Sequence, residues 1–175
     1  MNAMSHNSGP RANAYSKNKF TNRRYYDPFA LEVASAFKRF DHKIPENPQN
    51  PWIITLPPHP QFLQPCGHGE IDQKIQHIPK SYIEGLRAIF VLSGTNRQLR
   101  CWKGNLCCYG WYWRECIFLH AHPKDSIREY FLNHVLLHEI GHHVDRFRVT
   151  DNKTSEGYAD WFAVQNSKAP GAMVD

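Results

Sequence analysis

The side chains best suited to chemistry in this chain are those of His138, Glu139 and His142, which form an H-E-x-x-H pattern in a largely apolar stretch. On an α-helix each residue turns by about 100°, so the two histidines lie on one face, a single turn apart. Two imidazoles at this spacing can bind one zinc ion, while the neighbouring carboxylate reaches a water molecule on the metal. Zinc lowers the pKa of that water towards about 7, and a glutamate can accept its proton as the water attacks a carbonyl group. The pattern therefore predicts metal-assisted hydrolysis with Glu139 as the general base.

A catalytic zinc site also needs a third protein ligand and an open position. The best candidate for that ligand is Glu156, because it follows a Thr-Ser pair suited to begin a second helix. Asp160 lies one helical turn after Glu156 and could accept a hydrogen bond from the free ring N–H of a zinc-bound histidine. His134 lies one turn before His138 and is a competing candidate ligand, although we expect it to pack beside the site or to support it.

Together these residues resemble the two motifs of the gluzincin zinc metallopeptidases, H-E-x-x-H followed by E-x-x-A-[DN]-x-F-A. Within that family they are most similar to the compact minigluzincin and ImmA/IrrE-like groups, and the resemblance covers about residues 80–166. It implies a zinc-dependent endopeptidase that hydrolyses peptide bonds in a peptide or protein substrate. It also implies that the zinc ligands are His138, His142 and Glu156, that the general base and acid is Glu139, and that the supporting hydrogen-bond partner is Asp160. No helix-turn-helix pattern accompanies the motifs, so the regulatory role of the ImmA-like proteins is not implied.

Other residues could contribute to a site or form a rival one. His120 and His122 are two residues apart on the last predicted strand, so they should project from the same face and could bind a metal or contact the substrate. We expect that strand to lie at the sheet edge, where an extended peptide could pair with it. The group that stabilises the oxyanion stays open between His120, Tyr158 and Tyr109. The thiolate of Cys66 could bind the zinc and keep the enzyme latent, with a plain free cysteine as the alternative.

Apolar periodicity predicts the elements that position these residues. A helix is predicted over 28–40, and the proline-rich stretch 41–70 should lack regular helix. The metal-binding helix is predicted over 126–147, since Ser126 and Glu129 form a capping box at its start. The predicted strands follow the β-branched and aromatic runs at 88–92, 99–103, 106–112 and 115–122.

This order of elements favours an α+β fold. We expect a small zincin-like domain in which a short, twisted, mostly antiparallel sheet of three or four strands packs on an active-site helix and a glutamate helix, with an additional N-terminal helix. The predicted organisation is a disordered basic arm (1–27), a helix with the proline-rich segment (28–70), the metallopeptidase domain (71–167) and a tail (168–175).

Composition narrows the class of protein further. The 175 residues suit one domain with a real core, and we find neither an apolar run of membrane-spanning length nor a signal peptide, so we expect no membrane association. The five cysteines are odd in number and show no C-x-x-C spacing, which favours reduced thiols in a cytoplasmic protein. Oligomeric state cannot be predicted from these features.

Charge leaves two alternative functions open. The formal net charge is +5, and most of it lies within the first 30 residues, where five Lys and Arg face a single Asp. Such an arm is more often solvated than bound, so nucleic acid is an unlikely partner, but a nucleic-acid-associated regulator remains an alternative. The other alternative is a non-enzymatic, zinc-stabilised interaction module.

Overall fold

A computed structural model describes residues 23–103, 108–123, 130–148 and 153–167. The predicted arm before residue 23, the capping box at the start of the metal-binding helix, and the tail lie outside these ranges. No helix within the described ranges is both long and apolar enough to cross a lipid bilayer.

The centre of the fold is a four-stranded mixed sheet in the order β1-β2-β4-β3. β1 pairs with β2 and β2 pairs with β4 in parallel, while β3 and β4 form an antiparallel hairpin. At the hairpin turn, Arg114 and Glu115 both have positive φ, as a two-residue turn with the right twist requires. The strands are β1 (Trp52–Thr55), β2 (Ala88–Val91), β3 (Gly110–Trp113) and β4 (Cys116–Leu119).

Helices cover both faces of this sheet. A short 3₁₀ turn (Asp41–Lys43) follows the first helix, and a π-helical segment (Phe131–Val135) leads directly into the fifth. The α-helices are α1 (Arg23–Phe40), α2 (His68–Gln76), α3 (Lys80–Ile83), α4 (Asn96–Lys103), α5 (Leu136–Asp145) and α6 (Ser155–Ser167).

The two faces of the sheet bury different residues because side chains alternate along a strand. Phe90 of β2 and Phe118 of β4 stack on one another and face α1. Their neighbours Ile89 and Ile117 face the opposite way, into a core that α2, α5 and α6 complete. The α+β prediction is therefore confirmed, with α1 on one side of the sheet and α5 on the other.

The predicted antiparallel character of the sheet is wrong, because two of its three strand pairs are parallel. One cause is β1, a strand that the proline content of 41–70 led us to miss. Its prolines flank the strand without interrupting it, and an edge strand tolerates prolines there. Because β1 pairs with β2, residues on both sides of the predicted boundary at 70 belong to one sheet.

The predicted strand at 99–103 is also wrong, because these residues belong to α4. Thr95 and Gln98 form a reciprocal cap: the Thr95 N–H donates to the Gln98 side chain at 2.7 Å, and the Gln98 N–H donates to the Thr95 hydroxyl at 3.4 Å. This T-x-x-Q pattern is a sequence signal for a helix start. α1 also begins at Arg23, five residues before the predicted start, so that Pro28 lies inside it.

Candidate metal centre

Two histidines of α5 and the single glutamate of α6 converge on a common point. The two Nε2 atoms of His138 and His142 are 3.1 Å apart. A carboxylate oxygen of Glu156 lies 3.4 Å from the first and the other lies 3.5 Å from the second. Two ligand atoms bound at about 2.05 Å to a tetrahedral ion would be about 3.3 Å apart. The three donors therefore have the spacing that a small tetrahedral cation such as zinc requires.

The second ring nitrogen of each histidine is held by α6. The Nδ1 atom of His138 is 2.8 Å from Oδ1 of Asp160, and the Nδ1 atom of His142 is 3.1 Å from the hydroxyl of Ser155. An imidazole whose Nδ1–H donates to an oxygen presents a free lone pair on Nε2. Both rings therefore direct the lone pair of Nε2 towards the point where a metal ion could bind. The sequence pointed to Asp160, whereas Ser155 was noticed only as a helix start.

Close packing of α5 on α6 brings these side chains together. At Gly141, which lies between the two histidines, a Cβ atom would be 2.7 Å from the Cα atom of Ala159. Real Cβ atoms essentially never come so close to backbone, so a larger residue here would push the helices apart. The helices run in opposite directions, since His138 lies beside Asp160 while His142 lies beside Ser155. Gly141 therefore sets the distance across which the ligands meet.

The electrostatics of the group favour a cation. Burial alone would raise the pKa of Glu156, but the nearby imidazoles of His138 and His142 lower it to about 2. Burial likewise opposes protonation of His138, yet Glu156, Glu139 and Asp160 raise its pKa to about 9. Oε1 of Glu156 is buried and has no hydrogen-bond partner among the described residues. A buried carboxylate oxygen without a donor, directed towards two imidazoles, fits a bound metal ion well.

Glu139 lies beside the ligands rather than among them. Its side chain is buried between α5 and β3, where a Cβ atom on Gly110 would be only 2.6 Å from its Oε1 atom. Burial raises the pKa of Glu139, while the charges of His142 and His138 and the backbone N–H of Tyr112 act in the opposite direction. A carboxyl group in such a position is suited to accept a proton and release it again. No pattern in the amino-acid sequence indicates that Gly110 provides the space for it.

The sheet edge nearest Glu139 is β3. One side of β3 pairs with β4, and no other described strand pairs with its second side. β4, which carries the predicted histidine pair at its end, instead lies inside the sheet between β2 and β3. The prediction that an extended peptide meets the strand of His120 and His122 at an edge is therefore wrong.

The structure also separates His120 from His122. β4 ends at Leu119, so the regular alternation of faces does not extend to them. His120 is fully buried under α1, with its ring edge-to-face on Phe29 at 4.8 Å. His122 stacks on Tyr109, with ring centroids 5.9 Å apart. Neither histidine belongs to a group of metal-binding side chains in the described part of the chain, so the rival metal site is not formed.

The surroundings of two other candidates, Cys66 and Tyr158, provide no support for the roles predicted for them, which stay predictions. Cys66 is almost completely buried in the core beside α2 and is not a member of the candidate metal groups found among the described residues. A latency switch through its thiol would require this segment to leave the core. Tyr158 packs its ring on Trp161 and beneath the guanidinium of Arg148. Neither contact supports a role in stabilising an oxyanion.

A row of rings leads away from the three converging donors along the residues that precede α5. His134 lies next to His138 with ring centroids 6.1 Å apart, and Tyr130 stacks on His134 at 5.0 Å. Tyr109 meets Tyr130 edge-to-face at 5.7 Å. Tyr130 is 44% exposed, so these rings form an accessible wall beside the candidate centre.

Comparisons of the chain with the models of known protein families, with curated proteins and with solved structures find no match.

Proposed function

We propose that this protein is a zinc-dependent endopeptidase. The observation that carries the proposal is the convergence of Nε2 of His138, Nε2 of His142 and the Glu156 carboxylate at mutual separations of 3.1 to 3.5 Å. These three side chains would hold the ion, while Asp160 and Ser155 keep the imidazole rings in place. Zinc, when bound, polarises a carbonyl group and makes a water molecule more acidic.

The proton transfers fall to Glu139. Its carboxylate accepts a proton from the water that attacks the scissile carbonyl, and then donates a proton to the nitrogen that leaves. Burial between α5 and β3 restricts this side chain to a position next to the ligands. The Tyr112 N–H, which hydrogen-bonds to the Glu139 carboxyl, holds it further in place.

The substrate is an extended peptide. The second side of β3 next to Glu139 pairs with no described strand, and an extended chain can pair with such an edge while its side chains alternate between the two faces. The ligand set suits any metal-assisted hydrolysis, so peptide bonds are favoured here by this edge together with the resemblance of the motifs to gluzincin peptidases.

Glu139→Gln tests the enzyme directly, because the amide has the same size but cannot accept the proton. We expect the zinc-loaded full chain to cleave a mixed peptide library, read by mass spectrometry, and the variant to lose at least about 10²-fold in rate. The variant should keep its zinc, measured by elemental analysis. Glu46→Gln, at an exposed position, is the matched control and should behave as wild type.

Equal cleavage by wild type and Glu139→Gln would contradict the proposed role of Glu139. A wild-type chain that binds zinc but cleaves no peptide in the library would favour the non-enzymatic interaction module instead. A third outcome is DNA binding by wild type and Glu139→Gln alike. If its affinity falls steeply with salt concentration and it is lost when residues 1–30 are removed, the nucleic-acid-associated regulator is favoured.

A further inference from the structure

The ligand pattern of the candidate centre is repeated one helical turn away. His134 precedes His138 by four residues, just as His138 precedes His142. On α6, Asp160 follows Glu156 by the same four residues. Because α5 and α6 are antiparallel, moving back from His138 to His134, in the π-helical segment before α5, corresponds to moving forward from Glu156 to Asp160 on α6. The result is a second set of two histidines and one carboxylate, which shares His138 with the first.

The structure brings this second set together in space. One donor atom each from His134, His138 and Asp160 lie within 4.8 Å of one another, the same criterion that His138, His142 and Glu156 satisfy. Among the described residues, these two sets are the groups that could hold a metal ion. Both histidines of the second set are partly exposed and Asp160 is exposed, so an ion can reach it from solvent.

The two sets face different nitrogens of the shared imidazole. Nε2 of His138 points to His142 and Glu156, whereas its Nδ1 atom lies 2.8 Å from Asp160. The second set is the more open one, since the rings of His134 and His138 are 6.1 Å apart and those of His138 and His142 are 4.8 Å apart. The second set must therefore close further around an ion, which makes its affinity lower.

We propose that His134, His138 and Asp160 form a second, weaker position for the same divalent cation, and that the ion occupies either this position or the first. The inference deepens the proposed function, since it concerns regulation of the same centre. In the second position Asp160 binds the ion and no longer orients His138 towards Glu156. That form is loaded with metal but inactive.

The distinguishing consequence is that the chain keeps an ion after a ligand of the first set is removed. Four full-length chains test this: wild type, His134→Ala, His142→Ala and the double variant. Each is freed of metal and titrated with zinc against a chromogenic chelator, and bound zinc is confirmed by elemental analysis. We expect about one zinc per chain in wild type and in His134→Ala with equal affinity. We also expect His142→Ala to retain about one zinc with lower affinity, and the double variant to lose it.

Two controls keep the outcome interpretable. His42→Ala combined with His142→Ala changes an exposed histidine instead of His134 and should bind zinc as His142→Ala does. Glu156→Gln should show the same retention of zinc as His142→Ala, so the test stands even if one variant fails to fold by circular dichroism. Complete loss of zinc from both folded single variants would overturn the proposal, as would retention of zinc by the double variant. Zinc binding is measured without substrate, so a failure of the peptidase assay does not affect this result.

Discussion

Two groups of histidine and carboxylate side chains in this protein use the same residue types in different ways. Under α1, Glu32 lies close to His120 and Gln98, all three buried. One oxygen of Glu32 accepts a hydrogen bond from the Gly94 N–H at 2.8 Å, and the other accepts one from the Gln98 amide at 2.6 Å. At the candidate centre, by contrast, an oxygen of Glu156 is left without a donor among the described residues.

The difference separates a structural polar group from a site that can bind an ion. The donors around Glu32 come from the protein and are fixed, and His120 adds its ring at 3.7 Å while its own nitrogens make no hydrogen bond within the described chain. This group links α1, the turn after β2 and the end of β4, and its three side chains are buried. The His138, His142 and Glu156 side chains are 12%, 15% and 32% exposed, so an ion and a substrate can reach them.

The largest effect is expected from Glu32→Ala, which should break the structural group and leave the metal centre intact. The Gly94 N–H and the Gln98 amide would lose their acceptor inside the core, and each unsatisfied group costs about 1–3 kcal/mol. We therefore expect the free energy of unfolding, measured with urea, to fall by about 3 kcal/mol. Zinc content should stay at the wild-type level, and Glu46→Ala should change neither quantity. A variant of wild-type stability would contradict the structural role.

A smaller effect is expected from Asp160→Ala, which should weaken the metal centre and leave the structural group intact. Its carboxylate is exposed, so little stability is lost, but His138 loses the acceptor that orients its ring. Loss of such an outer partner typically lowers metal affinity about 10–100-fold. Competition with a chelator measures this affinity, and Asp72→Ala is a control on an exposed carboxylate outside the two candidate ligand sets. Unchanged affinity would show that His138 needs no support from α6.

The smallest effect concerns pH. Burial alone would raise the pKa of Glu32, but the nearby ring of His120, with the hydrogen bonds from Gln98 and Gly94, lowers it below the usual value of 4.5. A carboxyl group with a lower pKa in the folded state stabilises the fold above its unfolded pKa, and this contribution is lost as the pH falls through the folded pKa. The difference in unfolding free energy between wild type and Glu32→Gln should therefore shrink below about pH 4.5. A difference that stays constant down to pH 3 would contradict the ionised state of Glu32.

The same contrast explains what sequence alone could predict. His138, His142, Glu156 and Asp160 lie on two helices at spacings of four residues, so local geometry was enough to identify them. The group around Glu32 joins residues 32, 94, 98 and 120, which are brought together only by tertiary packing. No local sequence pattern indicates that these four residues meet. His120 was therefore expected at a sheet edge near the active site, whereas it is buried under α1.

The errors in the fold have related physical causes. β1 was not predicted because the prolines of 41–70 indicated an irregular extended chain throughout that segment. In the structure the prolines only flank the four residues that pair with β2. Residues 99–103 were predicted as a strand because the Thr95 and Gln98 cap, which starts the helix, was not recognised. Whether two strands pair in parallel depends on how distant segments of the chain meet. The residue pattern of one short strand does not indicate the direction of its partner.

The most direct test of the central claim is the position of zinc in the wild-type protein. Crystals of the full chain grown with zinc, with diffraction data collected on both sides of the zinc absorption edge, locate the ion independently of any assay. We predict one anomalous peak about 2.0–2.2 Å from Nε2 of His138, Nε2 of His142 and a carboxylate oxygen of Glu156. No peak at this point, or a peak bound elsewhere in the chain, would contradict the assignment of the metal centre.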